Sequence, residues 1–180
     1  MKIKRIFFLI FFIIAISFVL FNRSHRENSP NPISPQIAPV LEKRTKTSAC
    51  EVQGPLQDKA CTPGAIIPTA TIEEICTQGY AKSVRNVPVA LKHEVYKEYG
   101  IAHHSPGEYE VDHLISLELG GSNDIANLWP EPAEPKPGFH EKDKVENYLH
   151  KQVCEGKISL QEAQKEISEN WLLIYKQISQ

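Results

Sequence analysis

The chain carries no visible internal repeat, no C-x-x-C motif and no excess of basic residues, and each absence narrows what it can be. With no repeat and no second block of patterning, its length supports one ordinary domain with extensions. The four cysteines, Cys50, Cys61, Cys76 and Cys154, show no C-x-x-C and no closely spaced Cys/His pair, so a structural zinc site built from short local loops is not expected. Residues 1–47 hold eight Lys/Arg against two acids, but residues 105–180 hold seven against fourteen. An acidic C-terminal region argues against a general polyanion-binding module.

What is present begins with an uncharged run, Ile6 to Phe21, behind Lys2, Lys4 and Arg5. As a helix at about 1.5 Å per residue it reaches about 24 Å, short of a ~30 Å hydrocarbon core but extendable by snorkelling of the flanking bases. Ala15-Ile16-Ser17 is the one small-x-small candidate for cleavage, and apolar residues continue past it. Residues 1–21 are therefore a signal-anchor or signal peptide, with the uncleaved anchor favoured. The basic flank keeps that end inside. The rest is expected on the periplasmic or extracellular side of an inner membrane, or secreted if the signal is cleaved. In that compartment an even cysteine count implies two disulfides. Three pairings are possible, and Cys61 with Cys76 is favoured. Residues 22–48, rich in Asn, Ser and Pro, contain too few large apolar groups to offset the entropy of folding and form a disordered tether. The folded domain is expected over 49–180.

Within it, Thr71 and Glu74 form a capping box for a short helix through Cys76 that Gly79 ends. Pro88 sits in the first turn of a second helix, with Val89, Lys92, Val95, Tyr96 and Tyr99 on one side and Gly100 as the stop. Tyr109 to Leu119 alternates as a strand, Gly120 to Asp124 turns, and Ile125 to Trp129 returns as a second strand. Pro130, Pro132, Pro135 and Pro137 then force an extended connection. A helix starts near His140, buries Val145, Tyr148, Leu149 and Val153, and stops at Gly156. The last helix is capped by Ser159 with Glu162 completing a second capping box, and Leu160, Ala163, Ile167, Trp171 and Ile174 form its stripe. Strands followed by helices give an α+β domain.

Chemistry concentrates on Asp112-His113, on Asn127 fourteen positions later, and on His140 at the next helix. A two-stranded ribbon crossed by a helix can bring a strand carboxylate and a helix imidazole onto one divalent ion. Adjacent strand residues point to opposite faces, so the strand must kink for both Asp112 and His113 to act together. A cation on a phosphodiester offsets charge on the leaving oxygen, and a neutral histidine can take a water proton at neutral pH once its tautomer is fixed by the backbone or Asn127.

The run Asp112 to Asp124, then Asn127-Leu128-Trp129-Pro130, then His140-x-x-Asp143-Lys144, resembles the HNH endonuclease superfamily, and more narrowly small exported bacterial HNH-like proteins. The motif core spans about 109–144. The resemblance implies a ββα-metal core with additional packing helices, and hydrolysis of phosphodiester bonds in DNA or RNA. It implies His113 as general base, Asn127 as the residue that orients the loop or approaches the metal, and Asp112 and His140 as metal ligands. A second helix histidine often follows four residues after the first in that family; Lys144 stands there instead and is read as a phosphate contact. One carboxylate, one imidazole and waters suit Mg²⁺ or Mn²⁺ better than Zn²⁺. No nucleotide cofactor is expected. The rival is a catalytically inactive HNH-like binding module of the cell envelope. His103-His104, His93, His150, Lys82 and Arg85 read as solvated or core-edge residues, and Trp129 as closing the core.

Overall fold

The computed structural model describes residues 42–180. The expected anchor and most of the expected tether lie outside them, and among the described residues no helix is long and apolar enough to cross a membrane. The architecture is mixed α+β: α1 (Ile72–Ile75), α2 (Tyr80–Val84), α3 (Val89–Glu98), β1 (Tyr109–His113), β2 (Leu128–Pro132), α4 (Phe139–Cys154) and α5 (Leu160–Ile178).

Folded contacts begin before Cys50, which corrects the tether boundary. The Arg44 guanidinium donates to the Cys61 carbonyl at 2.8 Å and pairs with Glu98, and Lys46 pairs with Asp58 at 2.9 Å. Arg44 and Glu98 are both largely buried, so this segment belongs to the domain.

The Thr71/Glu74 capping box forms, with Thr71 N–H donating to Glu74 Oε2 at 2.9 Å. Gly79 at φ 86° does not only end that turn. It caps α2, a helix the sequence reading lacked. Pro88 is the N-cap of α3, not a first-turn residue, and Val89 is 70% exposed, so only Val95 and Tyr99 of the expected stripe are buried.

β1 and β2 pair antiparallel, with Asp112 opposite Trp129 and His113 opposite Leu128. Both strands differ from expectation. β1 ends at His113, and Leu117–Leu119 winds into a 3-10 turn instead of continuing the ladder. The buried Asn127 side chain occupies the backbone N–H and C=O of Ile115, and Gly121 lies so close that an added Cβ would meet the Ile115 oxygen at 1.8 Å. β2 runs through Pro130 and Pro132, which were expected to break it. The Leu114 N–H donates to the Asn127 carbonyl and the Ala133 N–H to the Glu108 carbonyl. By alternation Pro130 and Pro132 fall at positions whose nitrogens point away from β1, so no ladder donor is lost.

Two cores result. Ile115 and Leu119 pack with Val145, Leu149, Val153, Ala163, Ile167 and Trp171 between α4 and α5. Leu114, Leu128 and Trp129 pack with Val95, Tyr99, Cys50 and Cys61. The α5 stripe is buried as expected, but the helix breaks its dihedrals at Asn170, and only the Ser159 half of its capping box forms. On α4, Tyr148 is 39% exposed and does not join Val145, Leu149 and Val153.

The disulfides are Cys50–Cys61 and Cys76–Cys154, with Cα separations of 6.1 and 5.7 Å, which corrects the Cys61–Cys76 pairing. Cys61 lies in the second core and Cys76 packs against the first, so closeness in sequence is not closeness in space.

Candidate functional site

Between β1 and α4, Arg85, Lys92, Tyr96, Glu110, Asp112, Asp143 and Glu146 line a polar cleft of about 420 Å³. Burial, then the neighbouring Asp112 charge, pushes the carboxyls of Glu110 and Asp143 above their usual range. Arg85, which the sequence left as a surface residue, is one of its walls.

His113 sits on the other face of β1 from Asp112 and is only 2% exposed. Its Nε2 lies 3.2 Å from Asn123 Oδ1. That amide is oriented by the backbone, because Asn123 Nδ2 donates to the Val84 carbonyl at 2.8 Å and Oδ1 accepts from the Asn86 N–H at 3.0 Å. An oxygen so fixed can only accept, so His113 carries its proton on Nε2 and presents a bare Nδ1. Burial lowers the imidazole pKa, partly opposed by Asp112, which keeps the ring neutral at neutral pH. The residue that sets the tautomer is therefore Asn123, not Asn127.

Asn127 is fully buried. Its Oδ1 accepts from Ile115 N–H at 2.9 Å and Ala65 N–H at 3.3 Å, and its Nδ2 donates to the carbonyls of Ile115 at 3.0 Å and Ser122 at 2.9 Å. With every polar position used, Asn127 holds the loop and has nothing left for a reacting atom. Of the two roles expected for Asn127, orienting the loop or approaching a metal, the geometry is that of the first.

The α4 side chain that reaches Asp112 is Lys142, two residues past His140. Its Nζ donates to Asp112 Oδ2 at 2.6 Å, to the His113 carbonyl at 2.8 Å and to Glu146 Oε1, and Glu131 Oε2 lies at 3.9 Å. The lysine side chain is 1% exposed and that of Glu131 is 0%. Burial works against the ammonium, but Asp112, Glu146 and Glu131 together hold its pKa above the ordinary lysine value. For Asp112 burial raises the carboxyl and Lys142 more than reverses it. His140 is exposed and lies against Phe139, the rings tilted by 58° with centroids 4.4 Å apart. Lys144 is 60% exposed, 3.5 Å from Glu141 Oε1 and 5.9 Å from the Tyr175 ring, and does not line the cleft.

These residues do not fit the expected ion. The carboxylate proposed to bind it is taken by an internal ammonium, and the partner imidazole faces solvent. Among the described residues one group gathers three candidate ligand atoms within 4.8 Å: Cys76, His150 and Cys154. His150 and Cys154 are a close pair, four apart on α4, that the sequence reading overlooked. Both sulfurs are joined in the disulfide, so no thiolate is free to ligate.

Trp129 is fully buried, in keeping with core closure and not with base stacking. His104 stacks on Tyr96 at 4.4 Å beside a larger groove, of about 750 Å³, that carries Lys92, His93 and Lys97 along α3. No protein-family model, curated protein or solved structure matches the chain.

Proposed function

We propose that the domain hydrolyses phosphodiester bonds in DNA or RNA, as an HNH-type, ββα unit with His113 as general base. The observation that carries this reading is the tautomer-locked, neutral His113 at the end of β1, the strand whose opposite face lines a polar cleft through Asp112. A bare Nδ1 on a ring held below its usual pKa is what proton abstraction from water requires at neutral pH. Arg85 and Lys92 supply positive charge on the cleft wall, and the groove along α3, with Lys97 and the Tyr96–His104 stack, offers a path for a strand: cations for phosphates and a ring face for a base. The site acts outside the cytoplasm, a placement supported by two disulfides and no free cysteine.

A second reading, a binding module without catalysis, is favoured by two features: Asp112 is paired with Lys142, and His113 is closed to bulk solvent. The test is cleavage of plasmid, single-stranded DNA and RNA by the full chain purified in detergent, with EDTA in one arm and Mg²⁺ or Mn²⁺ in the other. Hydrolysis reads as nicking that disappears in His113→Ala. Binding of the polymers with no cleavage in either arm would transfer the domain to the second reading.

A further inference from the structure

Four oxygen groups converge on one point beneath the ribbon: the carboxylates of Asp112, Glu131 and Glu146 and the carbonyl of His113. Hard oxygen donors at this density are what a divalent cation takes. At their focus lies the Lys142 ammonium, whose three protons are used by Asp112, Glu146 and the His113 carbonyl. Both oxygens of Glu131 lack a donor although the side chain is fully buried.

We infer that the Lys142 ammonium is the resident cation of this cluster and closes it to divalent metal ions. The inference stands on the cluster alone and holds whether or not the domain cleaves nucleic acid. Three features support it. A lysine on the buried stripe of α4, three residues before Val145, has no route to solvent and must be matched by charge. Its three donors are all satisfied, so it is placed by hydrogen bonding and not by packing alone. Opposite charge also meets the ammonium from two sides, Asp112 at 2.6 Å and Glu146, while burial raises the Glu131 carboxyl well above its usual value and so disfavours a third negative charge there. A divalent ion placed beside an ammonium already held by the same oxygens would meet repulsion and no free ligand set.

The test uses the full chain in detergent and Mn²⁺ alone as probe. The parent should melt at the same temperature, within about 1 °C, in Mn²⁺ or EDTA, and show no bound Mn²⁺ signal by electron paramagnetic resonance that Asp112→Asn removes. Lys142→Ala leaves carboxylates facing an empty centre, so its melting temperature should fall by about 10 °C or more, and Mn²⁺ should restore at least about half of the loss. The Asp112→Asn, Lys142→Ala double variant should lose that rescue. A Lys142→Ala chain that gains nothing from Mn²⁺, whether it folds or not, overturns the inference. So does a parent that binds Mn²⁺ through Asp112, or a Lys142→Met variant that melts like the parent. None of these outcomes depends on whether cleavage is seen.

Discussion

Replacing Asn127 by Asp changes one buried amide into a carboxyl of the same shape, and the structure dictates how that change behaves with pH. The parent amide donates to two carbonyls, those of Ile115 and Ser122, and accepts from the N–H groups of Ile115 and Ala65. An aspartate keeps the two accepted bonds but turns an unprotonated oxygen toward the two carbonyls. The folded state can relieve this only by holding a proton, so the folded pKa rises above the unfolded ~3.9. A raised carboxyl contributes stability that is complete below the unfolded pKa and lost as pH rises toward the folded one. At pH 4 the variant should lose about 1–3 kcal/mol, the cost of the one carbonyl a single proton leaves unpaired. From there the deficit should grow by up to about 1.4 kcal/mol per pH unit, a ceiling near ~4 kcal/mol more at pH 7. Asn127→Ala removes all four bonds and should lose about 2–6 kcal/mol with little dependence on pH. Urea unfolding of both variants and the parent at pH 4, 5.5 and 7 measures this. Parallel curves for Asn127→Asp and the parent would refute the loop-holding role. So would loss of cleavage at a pH where the variant is fully folded, since Asn127 would then touch the reaction.

Substituting His113 by Ala should slow cleavage by about 10² to 10⁴, with partial recovery at higher pH, whereas Asn123→Ala, which frees the tautomer, should cost less and be read as a smaller fall in kcat. Removing Cys76–Cys154, whose partners are 78 residues apart, should cost about 4–5 kcal/mol, against about 3 for Cys50–Cys61 at a separation of 11; thermal melting of the two Ser pairs tests the order, and the reverse order would refute it. Burial, opposed by Lys142, holds the Glu146 carboxyl up to about 7. A raised carboxyl loses its contribution as pH climbs from the unfolded value near 4.5 through about 7, so Glu146→Gln should flatten the stability profile across that window in a urea series.

The parts legible in the sequence are those set by local pattern. The α5 stripe from Leu160 to Ile174 is buried residue for residue, and the Thr71/Glu74 box forms, because both depend only on helical spacing. The strand limits were not legible, since they are set by where Asn127 and Gly121 meet Ile115 across the turn. The prolines of β2 misled for a related reason: proline excludes a ladder only on the donor side, and that parity is known once the register is known. Lys142 was hidden by composition, as it stands between Glu141 and Asp143 in a run that looks solvated. A signal was nevertheless present, because Lys142, Val145, Leu149 and Val153 fall at helical spacing on one stripe, all of them buried. A charge in register with an apolar stripe asks for partners, and Asp112 and Glu146 are the ones the fold supplies.

Asp112 and His113 were expected to need a kinked strand in order to work at one point. The structure leaves them on opposite faces of β1 and joins them through Lys142, whose Nζ holds the Asp112 carboxylate and the His113 carbonyl at once. The buried cation thus fixes the backbone from which the imidazole is aimed, while Asn123 fixes the ring. Two anchors on one residue make a joint prediction. In the parent, ¹⁵N shifts of His113 at neutral pH should report the Nε2–H tautomer alone. In Lys142→Met, loss of the carbonyl anchor should let the ring drift from Asn123, giving a tautomer mixture and a fall in kcat that exceeds any change in KM. Asn123→Ala should give the mixture with the backbone unmoved, so the amide shift of Leu114, next in the chain, should change in Lys142→Met and not in Asn123→Ala. If Lys142→Met leaves tautomer, rate and the Leu114 amide as they are in the parent, the ammonium does not position His113 and the two faces of β1 act independently.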